Sequence, residues 1–315
     1  MNRRTTWHQI IPKGFKPMSA LSVENLEQIV AVPACVVTLV VCSNRTSNVR
    51  KHWKTNLESL EAYDRFLIIM DMKETTEVRE LRGDLDPWGI RVVVNNENLG
   101  LSYSRNLALK TCRTNYLIFI DDDVTISKET VSSIKQEFRK GSDIVGVRIC
   151  GASEHLMPWY ISEGQLHYLA IHNPKAKVFN TWGACMGLKL PFVRSFGLKF
   201  REELGRRGKG LQSGDDTTFL RDMKARGARE GFLKDASVIH HIDKQRLSLS
   251  YMVRRAYWQG RSELRRGNVW NGLIKEGLRF FNTDSPGLRT ITLALFYTIT
   301  IWIGVAWEKI GAPKH

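Results

Sequence analysis

The chain has 315 residues, of which 43% are hydrophobic and 25% charged, and it carries a formal net charge of +15. That length supports one large α/β domain with an appendage or two small domains, and the composition excludes a disordered chain and a polytopic membrane protein. The positive charge points to anionic partners: nucleic acid, acidic lipid headgroups or a diphosphate substrate.

Residues 1–33 read as an arm. Pro12, Gly14, Pro17 and Pro33 interrupt it, and one short helix is predicted over Val23–Ile29. No apolar run follows Arg3 and Arg4, so no secretory leader is expected. The five cysteines form no CxxC pair, which predicts reduced thiols rather than a disulfide framework or a zinc site. From Val36 to Val41 the chain is apolar and β-branched, then turns polar at Cys42, Ser43, Asn44 and Arg45, as a buried strand opening into a ligand loop does. An amphipathic stretch over 49–61 follows, then a second strand, Phe66–Met70, ending in Asp71. A third strand is predicted over Arg91–Val94, a helix over Leu101–Thr111, and a fourth strand over Tyr116–Ile120 that runs into Asp121, Asp122 and Asp123. Strands alternating with helices predict a mostly parallel sheet covered on both faces, with ligands at the carboxyl ends of its strands. Asn44, Asp71 and the three aspartates are then expected to share one crevice.

Three adjacent carboxylates repel unless a cation neutralises them. An oxygen-only donor set suits Mg²⁺ or Mn²⁺, which use one or two carboxylates together with substrate phosphates.

The segment Asn98-Leu99-Gly100-Leu101-Ser102-Tyr103-Ser104-Arg105-Asn106-Leu107-Ala108, followed by Tyr116–Ile120 and Asp121-Asp122-Asp123, resembles the family 2 glycosyltransferases of the GT-A fold. It looks like their N-x-G-x-x-x-A-R-N segment and DxD strand end. The resemblance implies a metal-dependent, inverting transfer of a sugar from a nucleotide-diphosphate donor to an acceptor hydroxyl. Asp123 would bind Mn²⁺ or Mg²⁺, Asp121 and Asp122 would face ribose and sugar, and Arg105 with Asn106 would shape the donor pocket. Cys42, Asn44, Arg45, Asp71, Asn98 and Gly100 complete the implied nucleotide-sugar site. The family's usual P-T-Y-N-[RE] is here Val41-Cys42-Ser43-Asn44-Arg45, and its acidic pair after the second strand is Asp71-Met72, which leaves the nucleotide open.

Farther along, Leu211-Gln212-Ser213-Gly214-Asp215-Asp216-Thr217-Thr218 resembles the family's G-E-D-T-E segment and opens a predicted helix over Thr217–Ala225. The acceptor hydroxyl loses a proton as it attacks, so a carboxylate is needed as base: Asp216 is the candidate, with Asp215 beside it. A strand over 231–241 ends in His240-His241. Adjacent strand residues face opposite ways, so at most one of them reaches the metal; the family's A-x-V-x-H pattern falls on His240. The Q-x-x-R-W signature of processive synthases is absent, which favours one sugar per encounter.

Basic and aromatic residues alternate after His241 (Arg254, Arg255, Tyr257, Trp258, Arg261, Arg265, Arg266), and 290–307 is uncharged and apolar. This combination predicts an anionic membrane surface as partner and a C-terminal membrane helix. The expected plan is an α/β GT-A domain at 34–245, a basic aromatic helical region at 246–289 and the candidate membrane helix at 290–307, working at the cytosolic face on a lipid-linked acceptor. Two competing readings are a basic nucleic-acid-binding protein, which the 98–123 block disfavours, and a non-catalytic sugar-nucleotide-binding protein of the same fold.

Overall fold

A computed structural model describes residues 35–267 and 288–311. The chain divides into units Met1–Pro33 and Ala34–His315. The first, with the predicted Val23–Ile29 helix, lies outside the described residues, and so does 268–287 of the basic aromatic region.

The sheet starts from β1 (Val37–Ser43), whose seven residues are all buried. Strand residues alternate faces, so the apolar run supplies both layers. Val37, Leu39 and Val41 pack under α1 (Thr46–Glu58), α2 (Thr76–Leu85) and α4 (Lys128–Arg139). Val40 and Cys42 pack against α3 (Leu101–Thr111), α5 (Leu190–Ser195) and α6 (Asp215–Lys224). β2 (Arg65–Met70) and β4 (Tyr116–Asp121) flank β1 in parallel, and β3 (Arg91–Val94) extends β2. The register sets Cys42 opposite both Ile69 and Asp121, so the polar strand ends lie at one level.

The sheet is mostly parallel, as expected, and its antiparallel pairs fall in the second half. β7 (Cys185–Lys189) runs antiparallel between β4 and β6 (Ile144–Ala152). β6 pairs in parallel with β8 (Glu230–His241), and β8 pairs antiparallel with the short β5 (Val124–Ile126). The eight-stranded order is β3-β2-β1-β4-β7-β6-β8-β5. The β5–β8 pair puts His240 opposite Val124, beside the third aspartate, and the His241 N–H donates to the Asp123 carbonyl at 2.8 Å.

A third apolar cluster lies where α7 (Leu249–Arg265) meets the last helix, α8 (Leu288–Lys309). Met252 and Ala256 of α7 pack with Ala294, Tyr297, Ile301 and Val305 of α8. The two backbones touch at glycines: a Cβ at Gly260 would meet the Ile301 carbonyl, and one at Gly304 the Tyr257 carbonyl. Glu308 ties the end of α8 to Arg261 at 2.6 Å and Arg265 at 2.7 Å. One face of the expected membrane segment is thus occupied by protein. The other leaves Leu295, Phe296, Ile299, Trp302, Ile303 and Trp307 exposed. Among the described residues, no helix is long and apolar enough to cross a membrane.

Candidate active site

The carboxyl ends of β1, β2 and β4 open onto a crevice of 780 Å³, a size that holds a small ligand. Of the residues singled out in the sequence, Cys42, Asn44, Arg45, Asp71, Asn98, Arg105, Asp121, Asp122, Asp123, Asp215 and Asp216 line it. Gly100 and His240 stand behind the wall.

Asp71 is buried and accepts from the Asn95 side chain at 2.8 Å and from the Leu99 and Gly100 backbone N–H groups at 2.9 Å each. It therefore shapes the 95–100 loop as well as lining the crevice. Gly100 takes φ 101°, and a Cβ there would press on the Arg206 carbonyl at 3.1 Å, so glycine is needed for the loop to turn into α3. Asn98 bridges the loop, donating to the Asp71 carbonyl and accepting from the Gly208 N–H. Burial pushes the Cys42 thiol up, so it stays protonated.

Each of the three aspartates meets a different arginine. Asp121 is 3.4 Å from Arg105, and Asp122 is 3.3 Å from Arg45. Asp122 also accepts from Ser43 Oγ and from Asn48 at 3.1 Å. Burial and neighbouring Asp123 still push the Asp122 carboxyl up. Asp123 lies 2.8 Å from Arg246 and 3.0 Å from His240 Nε2. Burial alone would raise the Asp123 carboxyl, but Arg246 and His240 outweigh it and hold it well below the usual carboxylate range.

His240 Nδ1 faces the Ala170 carbonyl at 3.4 Å, and Nε2 accepts from Arg246 at 2.9 Å. A carbonyl at Nδ1 favours the tautomer whose Nε2 lone pair points outward. His240 Nε2 also lies 3.0 Å from Asp123 Oδ1, which is buried and makes no hydrogen bond among the described residues. An oxygen and a nitrogen donor so disposed suit Mn²⁺ or Mg²⁺. Among the described residues no group of three or more His, Cys, Asp or Glu is placed to hold a metal ion. His241 points away, bonded to Thr125 at 3.0 Å and stacked on His52.

Arg105 is buried and spans both halves of the site. It reaches Asp215 at 2.7 Å, Asp121 at 3.4 Å and the Gly183 carbonyl at 3.2 Å. Asn106 does not shape the donor pocket as expected; its side chain holds the Phe200 backbone from both sides. The two carboxylates that open α6 diverge. Asp215 is buried on Arg105 and Ser102. Asp216 faces the crevice, accepting from the Gly183 N–H and the Thr217 N–H at 2.6 Å each.

The glycosyl transferase family 2 sequence model matches residues 38–196. The chain belongs to that family. This glycosyltransferase is similar to a glucosyl-dolichyl phosphate glucuronosyltransferase of Haloferax volcanii, 24% identical over 242 residues, covering 72% of this chain and 76% of the relative. It is also 24% identical over 163 residues to the succinoglycan biosynthesis protein ExoM of Rhizobium meliloti, covering 51% of each. Among solved structures, the mannosyltransferase PcManGT of Pyrobaculum calidifontis in complex with GDP-Man and Mn²⁺ has TM-score 0.55 at 14% identity, covering 87% of both chains. TarS 1-349 of S. aureus in complex with UDP-GlcNAc has TM-score 0.53 at 11% identity, covering 88% of this chain and 74% of that one. At such identities the likeness carries the GT-A fold alone.

Sequence motifs did not reveal Asn48, Ser43 or Arg246. Asn48 lies on α1 just past the strand-end loop, and Arg246 sits in a short turn, Lys244–Leu247, whose residues carry no periodic pattern. Only Ser43, beside Asn44-Arg45, stood in a segment the sequence had marked.

Proposed function

We propose that this family 2 enzyme carries out a metal-dependent, inverting, non-processive transfer of one sugar from a nucleotide diphosphate to the hydroxyl of a lipid-linked acceptor. The observation that carries the reading is the divergence of the α6 carboxylates at the crevice. Asp215 is committed to Arg105, whereas Asp216 presents a carboxylate held by two backbone N–H groups.

In this reading the acceptor O–H gives its proton to Asp216 as its oxygen bonds to the anomeric carbon and the bond from that carbon to the diphosphate oxygen breaks. Attack opposite the leaving group inverts the configuration. Asp123 and His240 would hold Mn²⁺ or Mg²⁺, which supplies positive charge against the diphosphate. Arg45, Asn48 and Ser43 fix Asp122, and Arg105 fixes Asp121 toward the donor. Asp215 is a positioning residue that orients Arg105.

Two features support a lipid-linked acceptor: the exposed apolar face of α8, and exposed Leu156 and Trp159 on the 153–162 loop. Such a face suits the interface of an anionic membrane without crossing it, and the named acceptor of the Haloferax relative is consistent with one.

The test screens UDP- and GDP-sugars by thermal shift with and without Mn²⁺, because a ligand of the native state raises the melting temperature. A Mn²⁺-dependent rise for one donor is expected. Asp216→Asn should keep that rise while turnover falls by at least about 10²-fold. Near-normal turnover in the variant would remove Asp216 from the mechanism.

A further inference from the structure

α7 presents two faces to the rest of the chain. Gly260, Arg261 and Arg265 meet α8. Gln259, Ser262 and Glu263 lie on the opposite side, three and four residues apart as one helix face requires. All three are buried. Burying polar side chains costs free energy unless each finds a partner, and packing alone would be served by apolar residues, as Met252 and Ala256 serve against α8.

What this polar face holds is the turn that opens α6. The Ser213 N–H donates to Ser262 Oγ at 3.1 Å, and Ser213 Oγ donates to Gln259 Oε1 at 3.1 Å. The direction of the second bond is fixed by what surrounds the amide. Gln259 Oε1 also accepts from Arg255 at 3.1 Å, and Nε2 donates to Glu263 at 2.7 Å. Turning the amide over would set its NH₂ against a guanidinium and its oxygen against a carboxylate, so Gln259 offers Ser213 an acceptor. Ser262 Oγ in turn donates to the Trp258 carbonyl at 2.8 Å, which leaves its lone pairs for the Ser213 N–H.

Gly214 follows at φ 97°, and a Cβ there would press on the Arg266 guanidinium, itself paired with Glu263. The Gly214 carbonyl accepts the Thr218 N–H at 3.0 Å as α6 begins, and Asp215 and Asp216 are the first two residues of that helix. Ser213 and Gly214 are therefore fastened to α7 directly before the two carboxylates. Asp215 is bonded to Arg105, so the start of α6 is held from two sides, by α3 and by α7.

We propose that Gln259 and Ser262 are positioning residues for Asp216, holding through Ser213 the turn that sets where the base stands. This rests on the reading of Asp216 as the base and deepens it. A carboxylate that takes the acceptor's proton must stand within hydrogen-bond reach of it, and a misplacement of about 1 Å costs on the order of 10²-fold in rate. Asp216 accepts from the Gly183 N–H, outside α6, and from the Thr217 N–H of its own turn. Releasing Ser213 lets that turn shift against Gly183. The support of the base then lies in a helix well beyond residues 38–196, which the family model matches. Because Gly260 and Arg261 lock α7 to α8, the C-terminal helix is the far end of the same support.

The test uses the full-length protein, Mn²⁺ and whichever UDP- or GDP-sugar raises the melting temperature. It follows release of the nucleoside diphosphate with water as acceptor: the water oxygen bonds to the anomeric carbon, its proton goes to Asp216, and the bond to the diphosphate oxygen breaks. Ser262→Ala and Gln259→Met should each lower kcat roughly tenfold, while donor KM and Mn²⁺-dependent donor affinity stay within about twofold. Ser262→Thr keeps the hydroxyl and should restore kcat. Placed on Asp216→Asn, the same two substitutions should cost no more than about twofold, because a residue that acts through the base has nothing left to position. A merely structural role would lower both backgrounds alike, and melting temperatures report folding. Near-normal turnover of Asp216→Asn alone overturns the base assignment and this proposal with it. With the base assignment intact, the proposal is overturned if both folded α7 variants keep the parental kcat, if they lose it equally in the two backgrounds, or if donor affinity falls in place of kcat.

Discussion

His172 gives the structure a pH dependence that can be isolated. It is buried, its Nδ1 accepts the Ile149 N–H at 2.9 Å, and its Nε2 donates to the Asn180 carbonyl at 2.9 Å. Its ring lies 4.2 Å from that of Trp182, whose segment forms part of the crevice wall. Burial is the main cause that brings this imidazole from its ordinary 6.5 down to about 4, with Arg148 adding to it and the Asn180 bond opposing it. A depressed histidine is neutral in the fold but protonates first in the unfolded chain. Its contribution is therefore complete above pH 6.5 and is lost as pH falls toward 4. Linkage between those two values gives a loss of about 2 kcal/mol from pH 7 to pH 5. His172→Phe keeps an aromatic ring against Trp182, Phe179 and Phe232 but leaves the Ile149 N–H unbonded, at a cost of roughly 1–3 kcal/mol. Urea denaturation at half-unit pH steps should show the parent more stable at pH 7 and the two converging near pH 5. His52 and His241, whose imidazoles are also depressed, titrate in both proteins and cancel in the difference. Parallel stability curves would refute the assignment of the depressed histidine to position 172.

If the proposed metal seat is right, Asp123→Ala should abolish the Mn²⁺-dependent part of donor affinity in calorimetry, because it removes the carboxylate proposed to hold the ion beside His240. Asp215→Ala should destabilise the fold by about 3–5 kcal/mol in denaturant titrations, since it strands the buried Arg105 guanidinium. Gly304→Val should separate α8 from α7 at the Tyr257 carbonyl, seen as a lowered melting temperature and faster proteolysis at the C-terminus. Replacing Ile299, Trp302 and Ile303 by serine should abolish co-sedimentation with anionic liposomes while donor affinity is unchanged; equal sedimentation of the parent and the variant would remove α8 from membrane contact.

The first half of the fold was legible because its strands are continuous apolar runs that stop at polar residues. Val37–Ser43, Arg65–Met70, Arg91–Val94 and Tyr116–Asp121 fall where that pattern places them to within a residue or two. The order of the second half was not, because β7 is five residues long and nothing in Cys185–Lys189 marks its direction or that it enters between β4 and β6. In the C-terminal helix, a uniformly apolar sequence hid a two-sided arrangement. Tyr297, Ile301 and Val305 recur at a helical interval and are buried on α7, while Ile299 and Trp302 between them are exposed. When every position is apolar, periodicity does not say which stripe meets protein.

The three adjacent aspartates show why local charge alone was an insufficient guide. Their mutual repulsion was read as demanding a divalent cation, yet in the folded chain three guanidiniums from three elements answer it: Arg105 of α3 for Asp121, Arg45 before α1 for Asp122 and Arg246 after β8 for Asp123. Neutralisation therefore does not by itself require an ion. What distinguishes Asp123 is Oδ1, which lies 3.0 Å from His240 Nε2 and makes no hydrogen bond among the described residues, with Arg246 at the other oxygen. A carboxylate satisfied by arginine needs nothing more, whereas an oxygen and a nitrogen donor aimed at one point favour a cation between them. A cation at this site would answer to one atom, Asp123 Oδ1, rather than to three charges, and the sequence shows the charges but not the atom.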